Sequence, residues 1–250
     1  MTVRQLLQHT SGLPSYTDSM LKDVFGAARH TYYQPRDLLD VALARKAQFA
    51  PGKGIAYSNT NYLVAGLLIE KVTRRPVAEQ ITQRVIDRAG LRHTYFPGAG
   101  DEGIREAHPR GYHAARPGAP LEDITKLDPS WMWSAGQLVS TPSDLNRFYS
   151  ALIGGDLLKP AQLAQMRKTV KGPKGPDREA GTRFGLGLTS TPLSCGGLRW
   201  GHGGDTPGYH SVPGVTDDGR AATVVVTANQ PPTQKGFEKV DQVLDTALCR

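Results

Sequence analysis

Apolar positions recur at helical spacing through the first two thirds of the chain and gather into short β-like runs in the last third. Met1-Thr2-Val3-Arg4-Gln5-Leu6-Leu7 reads as a helix from the outset. Leu63, Leu67, Leu68 and their neighbours make residues 61–73 apolar on most faces, the pattern of a buried helix. Pro76 then opens a second helix in which Val77, Ile81, Val85 and Ile86 share a face before Gly90 ends it. Ser140-Thr141-Pro142-Ser143-Asp144 is a helix start, with a Thr cap, Pro in the first turn and an acid at the third position. It leads into Leu145, Phe148, Tyr149 and Leu152, and a short helix over 159–168 follows. After that, 183–189, 198–202, 209–215 and 221–228 read as strands, the last two joined by the turn Asp217-Asp218-Gly219. An amphipathic helix bearing Phe237, Val240, Val243, Leu244, Ala247 and Leu248 closes the chain. Helices first and an antiparallel run after them predict an α+β fold, with a mostly helical region over 1–182 and strands plus a terminal helix over 183–250. No internal repeat is visible.

Length and composition narrow this picture. A chain of 250 residues suits one large or two modest domains, and 28 Gly with 18 Pro point to many loops. No stretch approaches the ~20 apolar residues of a membrane span; 63–69 is stopped by Glu70 and Lys71. The start at Met1 shows no charged region, apolar region and small-residue site of a signal peptide. The formal charge is +7, and residues 159–183 carry seven cations against two anions. Gly and Pro punctuate the centre of that segment, around Lys171-Gly172-Pro173-Lys174-Gly175-Pro176, which reads as a solvated loop. No aromatic residue is interleaved with these cations, so base stacking is not provided for and nucleic acid is not an expected partner. The two cysteines, Cys195 and Cys249, permit one disulfide without demanding it; two buried free thiols fit the spacing equally well.

Three turns carry polar groups suited to chemistry. Tyr57-Ser58-Asn59, after Pro51-Gly52, places a phenol and an amide two residues apart just before the apolar helix. Trp131-Met132-Trp133-Ser134-Ala135-Gly136 sets aromatics beside small residues. Trp200-Gly201-His202-Gly203-Gly204-Asp205-Thr206-Pro207-Gly208-Tyr209 ends a strand in a His followed by glycines that allow close approach to the backbone. Taken singly, each also fits a plain structural role: Tyr57 as a core or capping tyrosine, Asn59 as a helix N-cap, His202 as a strand-end histidine. The seven histidines show no metal-ligand spacing, and no metal or organic cofactor is implied.

In order along the chain, Thr10-Ser11-Gly12-Leu13-Pro14, Tyr57-Ser58-Asn59, Ser134-Ala135-Gly136 and Gly201-His202-Gly203-Gly204 with Gly208-Tyr209 resemble the serine β-lactamase and D-alanyl-D-alanine carboxypeptidase family, its class C branch above all. The resemblance runs from Thr2 to Cys249. It implies an antiparallel sheet with flanking terminal helices beside an all-helical region, and acyl transfer through a serine ester on D-amino-acid peptides, β-lactams or esters. Tyr57 then matches the tyrosine that exchanges a proton with nucleophile and leaving group, Asn59 the amide that donates to the substrate carbonyl, and His202 the basic residue of the third motif. Gly204 and Asp205 line the substrate strand, the Asp205 N–H serving as an oxyanion donor, and Trp131 walls the cleft. The same resemblance implies a Cys195–Cys249 disulfide and a secreted or extracytoplasmic location.

The chain departs from the pattern at the nucleophile. The family's Ser-x-x-Lys lies before the Thr-Ser-Gly-Leu motif, which here begins at Thr10; Ser19-Met20-Leu21-Lys22 lies after it. The expectation is a chain lacking the nucleophile helix and the first strands, with three main strands left in the sheet and an exposed edge that favours self-association. Either a hydrolase whose chain begins late or a non-catalytic, ligand-binding remnant fits this order. Gly203 also stands where the family usually has a hydroxyl residue.

Overall fold

In the computed structural model of the chain, the described residues are 1–24, 26–114, 116, 118–172, 181–229 and 234–250. They fall into two compact units, residues 1–83, 95–107 and 126–139 in the first and 84–94, 108–125 and 140–250 in the second. The expected loop centre at 173–176 lies outside the described residues, as do the side chains of Lys22 and Phe237.

The first unit is helical. Helix α1 (Val3–Leu7) starts at a capping box: the Thr2 hydroxyl accepts the Gln5 N–H while the Gln5 side chain takes the Thr2 N–H. Helices α2 (Thr17–Val24), α3 (Pro35–Leu43), α4 (Thr60–Thr73) and α5 (Val77–Ile81) follow. Tyr16, Met20, Leu38, Ala42, Leu63, Trp131 and Met132 form the core between them. Helix α4 buries Leu63 and Gly66, and the Cβ of any other residue at 66 would sit 2.2 Å from the Ser134 Oγ. The expectation that α4 is buried on most faces is corrected: Leu68, Ile69 and Val72 are exposed, because α1, α3 and the Trp133–Ala135 turn pack on its other side.

A π turn (Thr82–Ile86) begins in the first unit and runs, from Arg84 in the second, into α6 (Asp87–Ala89), which ends at Gly90 in the left-handed conformation, φ 64°. Strands β1 (Tyr112–His113) and β2 (Glu122–Asp123) come next, then α7 (Pro142–Gly154), capped by the Thr141 hydroxyl on the Asp144 N–H, and α8 (Pro160–Met166). The strands β3 (Val170–Lys171), β4 (Arg183–Phe184), β5 (Thr189–Pro192), β6 (Leu198–Gly201), β7 (Gly204–Thr206), β8 (Tyr209–Thr216), β9 (Ala221–Val226) and β10 (Ala228–Asn229) precede the last helix, α9 (Gln234–Leu248). Among the described residues seven strands form an antiparallel sheet: β3, β4, β5 and β6 pair in turn, β6 and β7 share one side of β8, and β9 takes the other. The small second sheet has the order β10-β1-β2, with β1 parallel to β10.

Two expectations change here. Among the described residues four strands of four residues or more are present, not three, since β5 lies on Thr189–Pro192, a stretch without apolar alternation. On α9 the buried stripe is Leu244 and Leu248, both fully inaccessible, whereas Val243 is 56% exposed; a helix lying on a sheet buries residues four apart, and 243 points away from that row. Cys195, in the turn after β5, is disulfide-bonded to Cys249 at the end of α9, with 5.7 Å between the Cα atoms.

Candidate active site

In the first unit the Thr10-Ser11-Gly12-Leu13-Pro14 segment is a pedestal for the Tyr57-Ser58-Asn59 turn. Gly12 takes φ 81°, and a Cβ there would lie 2.0 Å from the Phe49 carbonyl oxygen, so glycine alone lets the two segments touch. The Gly52 N–H donates to Thr10 O at 2.8 Å, the Gln48 N–H to Gly12 O at 2.8 Å and the Ala56 N–H to His9 O at 3.0 Å. The Ser11 hydroxyl donates to Asn61 Oδ1 at 2.5 Å, and the Thr60 hydroxyl to Pro14 O at 2.7 Å. His9, 1% exposed and at φ 57°, stacks on the Tyr57 ring with centroids 4.3 Å apart. Its Nδ1 accepts the Ser58 N–H at 3.1 Å, which fixes the proton of a neutral His9 on Nε2.

On this base the two polar heads meet. The Tyr57 hydroxyl donates to Asn59 Oδ1 at 3.3 Å, and Asn59 Nδ2 donates to Thr17 Oγ1 at 3.1 Å. Asn59 occupies the N-cap position of α4, yet its side chain makes no capping bond; its own N–H goes to Ser15 Oγ at 3.1 Å. The amide is thus oriented by neighbours and not spent on its helix. Two other phenols stand near. Burial pushes Tyr16 and Tyr62 well above the ordinary phenol range, and proximity to Tyr57 adds to it, so both keep their protons near neutrality. Tyr57, near both, is only partly buried.

Trp131, expected to wall a cleft, is 3% exposed in the core of this unit, and its indole Nε1 has no hydrogen-bond partner among the described residues. The Ser134 hydroxyl donates to Tyr62 O at 2.9 Å, pinning the Ser-Ala-Gly turn to α4. Ser19 is exposed on α2.

In the second unit His202 follows β6 and Gly204 and Asp205 lie on β7. The two-residue turn Pro207-Gly208 makes Thr206 and Tyr209 the hydrogen-bonded closing pair. The alternation of antiparallel pairing then turns the N–H of Asp205, opposite His210, outward to the edge that no described strand covers. The Asp205 carboxylate meets His210 Nδ1 at 2.5 Å across that pair. His202 Nδ1 lies 2.7 Å from Gly203 O, and its own carbonyl accepts the Tyr149 hydroxyl at 3.3 Å. Burial raises Tyr149, outweighing that bond. Gly201 permits β6 to approach Pro213, whose carbonyl oxygen would stand 2.3 Å from a Cβ.

The structure thus brings Tyr57 and Asn59 together, and separately strings His202, Gly204 and Asp205 along one strand edge. Sequence reasoning missed His9, Ser15, Thr17 and His210, which hold those groups. The signal for His9 was its place directly before Thr10; nothing local marked Ser15, Thr17 or His210. Among the described residues no three His, Cys, Asp or Glu side chains are grouped so as to hold a metal ion. No described helix is long and apolar enough to cross a membrane.

The family model described as Beta-lactamase matches residues 1–248. Penicillin-binding protein 4* of Bacillus subtilis (strain 168) is 28% identical over 247 residues, 94% of this chain and 52% of that protein. The chain therefore spans about half the length of that relative. Among solved structures, a D-stereospecific amidohydrolase from Streptomyces sp. superposes with a TM-score of 0.87 at 36% identity, covering 96% of this chain and 71% of that one. The D-amino acid amidase of Ochrobactrum anthropi SV3, complexed with L-phenylalanine amide, gives 0.82 at 28% identity over 99% of this chain and 70% of its own. The antiparallel sheet and helices are the β-lactamase/transpeptidase-like fold of these structures.

Proposed function

The chain belongs to the β-lactamase family, and from that premise we propose that it is the main part of a serine hydrolase that cleaves amide or ester bonds at a D-amino acid. The observation that carries this reading is the Tyr57–Asn59 pair, a phenol and a carboxamide 3.3 Å apart, the amide withheld from capping α4 and oriented by Thr17. Asn59 donates an N–H to the carbonyl of the bound acyl group. Tyr57 relays the proton that the attacking serine loses and the leaving amine gains. In the second unit, the outward N–H of Asp205 is suited to stabilise a developing oxyanion, and His202 to meet a substrate carboxylate. That a D-stereospecific amidohydrolase and a D-amino acid amidase are among the similar structures supports a D-amino-acid amide as the substrate.

No residue of the chain is assigned as nucleophile. Ser19 lies on the wrong side of Thr10 for the family order and is exposed on α2. The 250-residue chain is therefore expected to bind substrate without forming an ester. Incubating it with a fluorescent penicillin and weighing the product tests this; a stoichiometric adduct at Ser19 overturns it. In a protein that joins this chain to a Ser-x-x-Lys segment, ammonia release from D-phenylalanine amide is expected to exceed that from the L-enantiomer. Tyr57→Phe is expected to lower kcat by roughly 10²–10⁴-fold with an unchanged Tm. Full turnover in a stable Tyr57→Phe protein overturns the role of the phenol.

A further inference from the structure

A groove enclosing about 540 Å3 lies wholly within the second unit and includes none of the residues assigned above. That size falls in the ~300–1,000 Å3 range of small-molecule sites. Its floor is hydrocarbon: Phe148 and Leu152, one turn apart on α7, then Leu157 and Leu158 behind the helix, and Met166 at the end of α8. Val85 also lines it. The charged residues lining it are all of one sign, Arg84, Arg88 and Lys159, with no carboxylate among the lining residues. Arg88 gives one N–H to Asp156 O at 2.8 Å, which leaves the rest of its five-donor guanidinium for a ligand. Arg84 and Val85 come from the π turn, a wide helical form that recurs at functional sites.

An apolar floor asks for a hydrocarbon chain, and a rim of one sign asks for an anion. A free phosphate would leave the floor wet; a neutral hydrocarbon would leave Arg88 and Lys159 with no anion to face. We infer that this groove binds a free, single-chain anionic amphiphile, a fatty-acid carboxylate, with the chain along Phe148, Leu152 and Leu158 and the head group between Arg88 and Lys159. The site is independent of the proposed hydrolase activity.

The test is isothermal titration calorimetry of the 250-residue chain with decanoate and dodecanoate below their micelle-forming concentrations. Saturable binding of one molecule per chain is expected, tightening roughly tenfold from decanoate to dodecanoate as two methylenes are added. Dodecyltrimethylammonium, equal in chain but opposite in charge, is expected not to bind. Arg88→Glu with Lys159→Glu, both at exposed positions, is expected to weaken dodecanoate at least tenfold with an unchanged Tm, and Lys159→Glu alone to weaken it in the same direction. The inference is overturned by absent or non-saturable dodecanoate binding, by equal uptake of the cationic amphiphile, or by charge-reversed proteins that bind as well as the original. Sedimentation with phosphatidylglycerol vesicles, without binding of the free acid, overturns it too and makes the groove a membrane contact.

Discussion

Asn59 shows how a residue's meaning depends on what its side chain is not doing. An asparagine at an N-cap ordinarily accepts an N–H of the first helical turn, but here Thr17 and Tyr57 hold the amide instead. Thr17→Val keeps the shape and removes the hydroxyl that accepts from Asn59 Nδ2. It is expected to cost only about 1 kcal/mol of stability, while lowering acylation in the catalytically complete protein more than it lowers substrate affinity. Equal loss in kcat and affinity, read from single-turnover kinetics, would argue that Asn59 is not positioned through Thr17. Gly12 belongs to the same argument at the backbone. Gly12→Ala must accommodate a left-handed residue, costing roughly 1–3 kcal/mol, and must also push away the Phe49 carbonyl, 2.0 Å from the new Cβ. A urea midpoint lowered by at least that cost is expected, and an unchanged midpoint would show that the two segments do not touch as described. The letters of these motifs were legible in the sequence because each is contiguous. Ser15, Thr17 and His210 were not, because each gains its partner only when chain segments meet.

Elements whose signals are local were the ones the sequence announced. Thr2 with Gln5, and Thr141 with Pro142 and Asp144, are caps complete within four residues, and the helices begin where they stand. Strand β5 is the opposite case. Thr189, Ser190 and Thr191 have no apolar alternation, and their extended form comes from being paired on both sides, by β4 and β6. The exposed Val72 and Val243 likewise show that an apolar residue on a helix does not by itself say which face has a neighbour. The join between the sheet and α9 rests on Leu244 and Leu248, on the Arg199–Asp241 contact at 2.9 Å and on the disulfide. With Cys195 and Cys249 54 positions apart in sequence, chain entropy makes the crosslink worth about 4 kcal/mol. Cys195→Ala with Cys249→Ala is expected to lose most of that in denaturant unfolding, with the larger share in the second unit. A loss below about 1 kcal/mol would mean that Leu244 and Leu248 alone hold the helix.

At the scale of the whole molecule, titratable groups held away from their ordinary values set the pH limits of the fold. Asp245 is lowered by the Ser194 hydroxyl and N–H, Asp218 by the Thr216 hydroxyl ahead of Arg220, and Asp123 by Thr125 ahead of Arg110. Each has a folded value below its unfolded one, so its contribution is present above the unfolded carboxylate value and fades as pH falls through the folded value. These three are solvent-facing, and the acid limit is accordingly soft. The alkaline limit is set by Tyr16 and Tyr62 in the first unit and by Tyr149 and the less buried Tyr209 in the second, all raised chiefly by burial. Their folded values exceed the unfolded one, so the fold keeps their full contribution below about pH 10 and loses it above, as the unfolded chain alone releases the protons. Each such phenol costs about 1.4 kcal/mol per pH unit over that range. Unfolding free energy is therefore expected to fall with pH for both units, the first through Tyr16 and Tyr62 and the second through Tyr149, with a smaller share from the less buried Tyr209. Urea midpoints taken at about pH 9, 10 and 11 measure the slopes, and Tyr149→Phe is expected to flatten the second unit's dependence while leaving the first unit's unchanged. A Tyr149→Phe protein whose second unit falls as steeply as the original would place the alkaline limit on some other group.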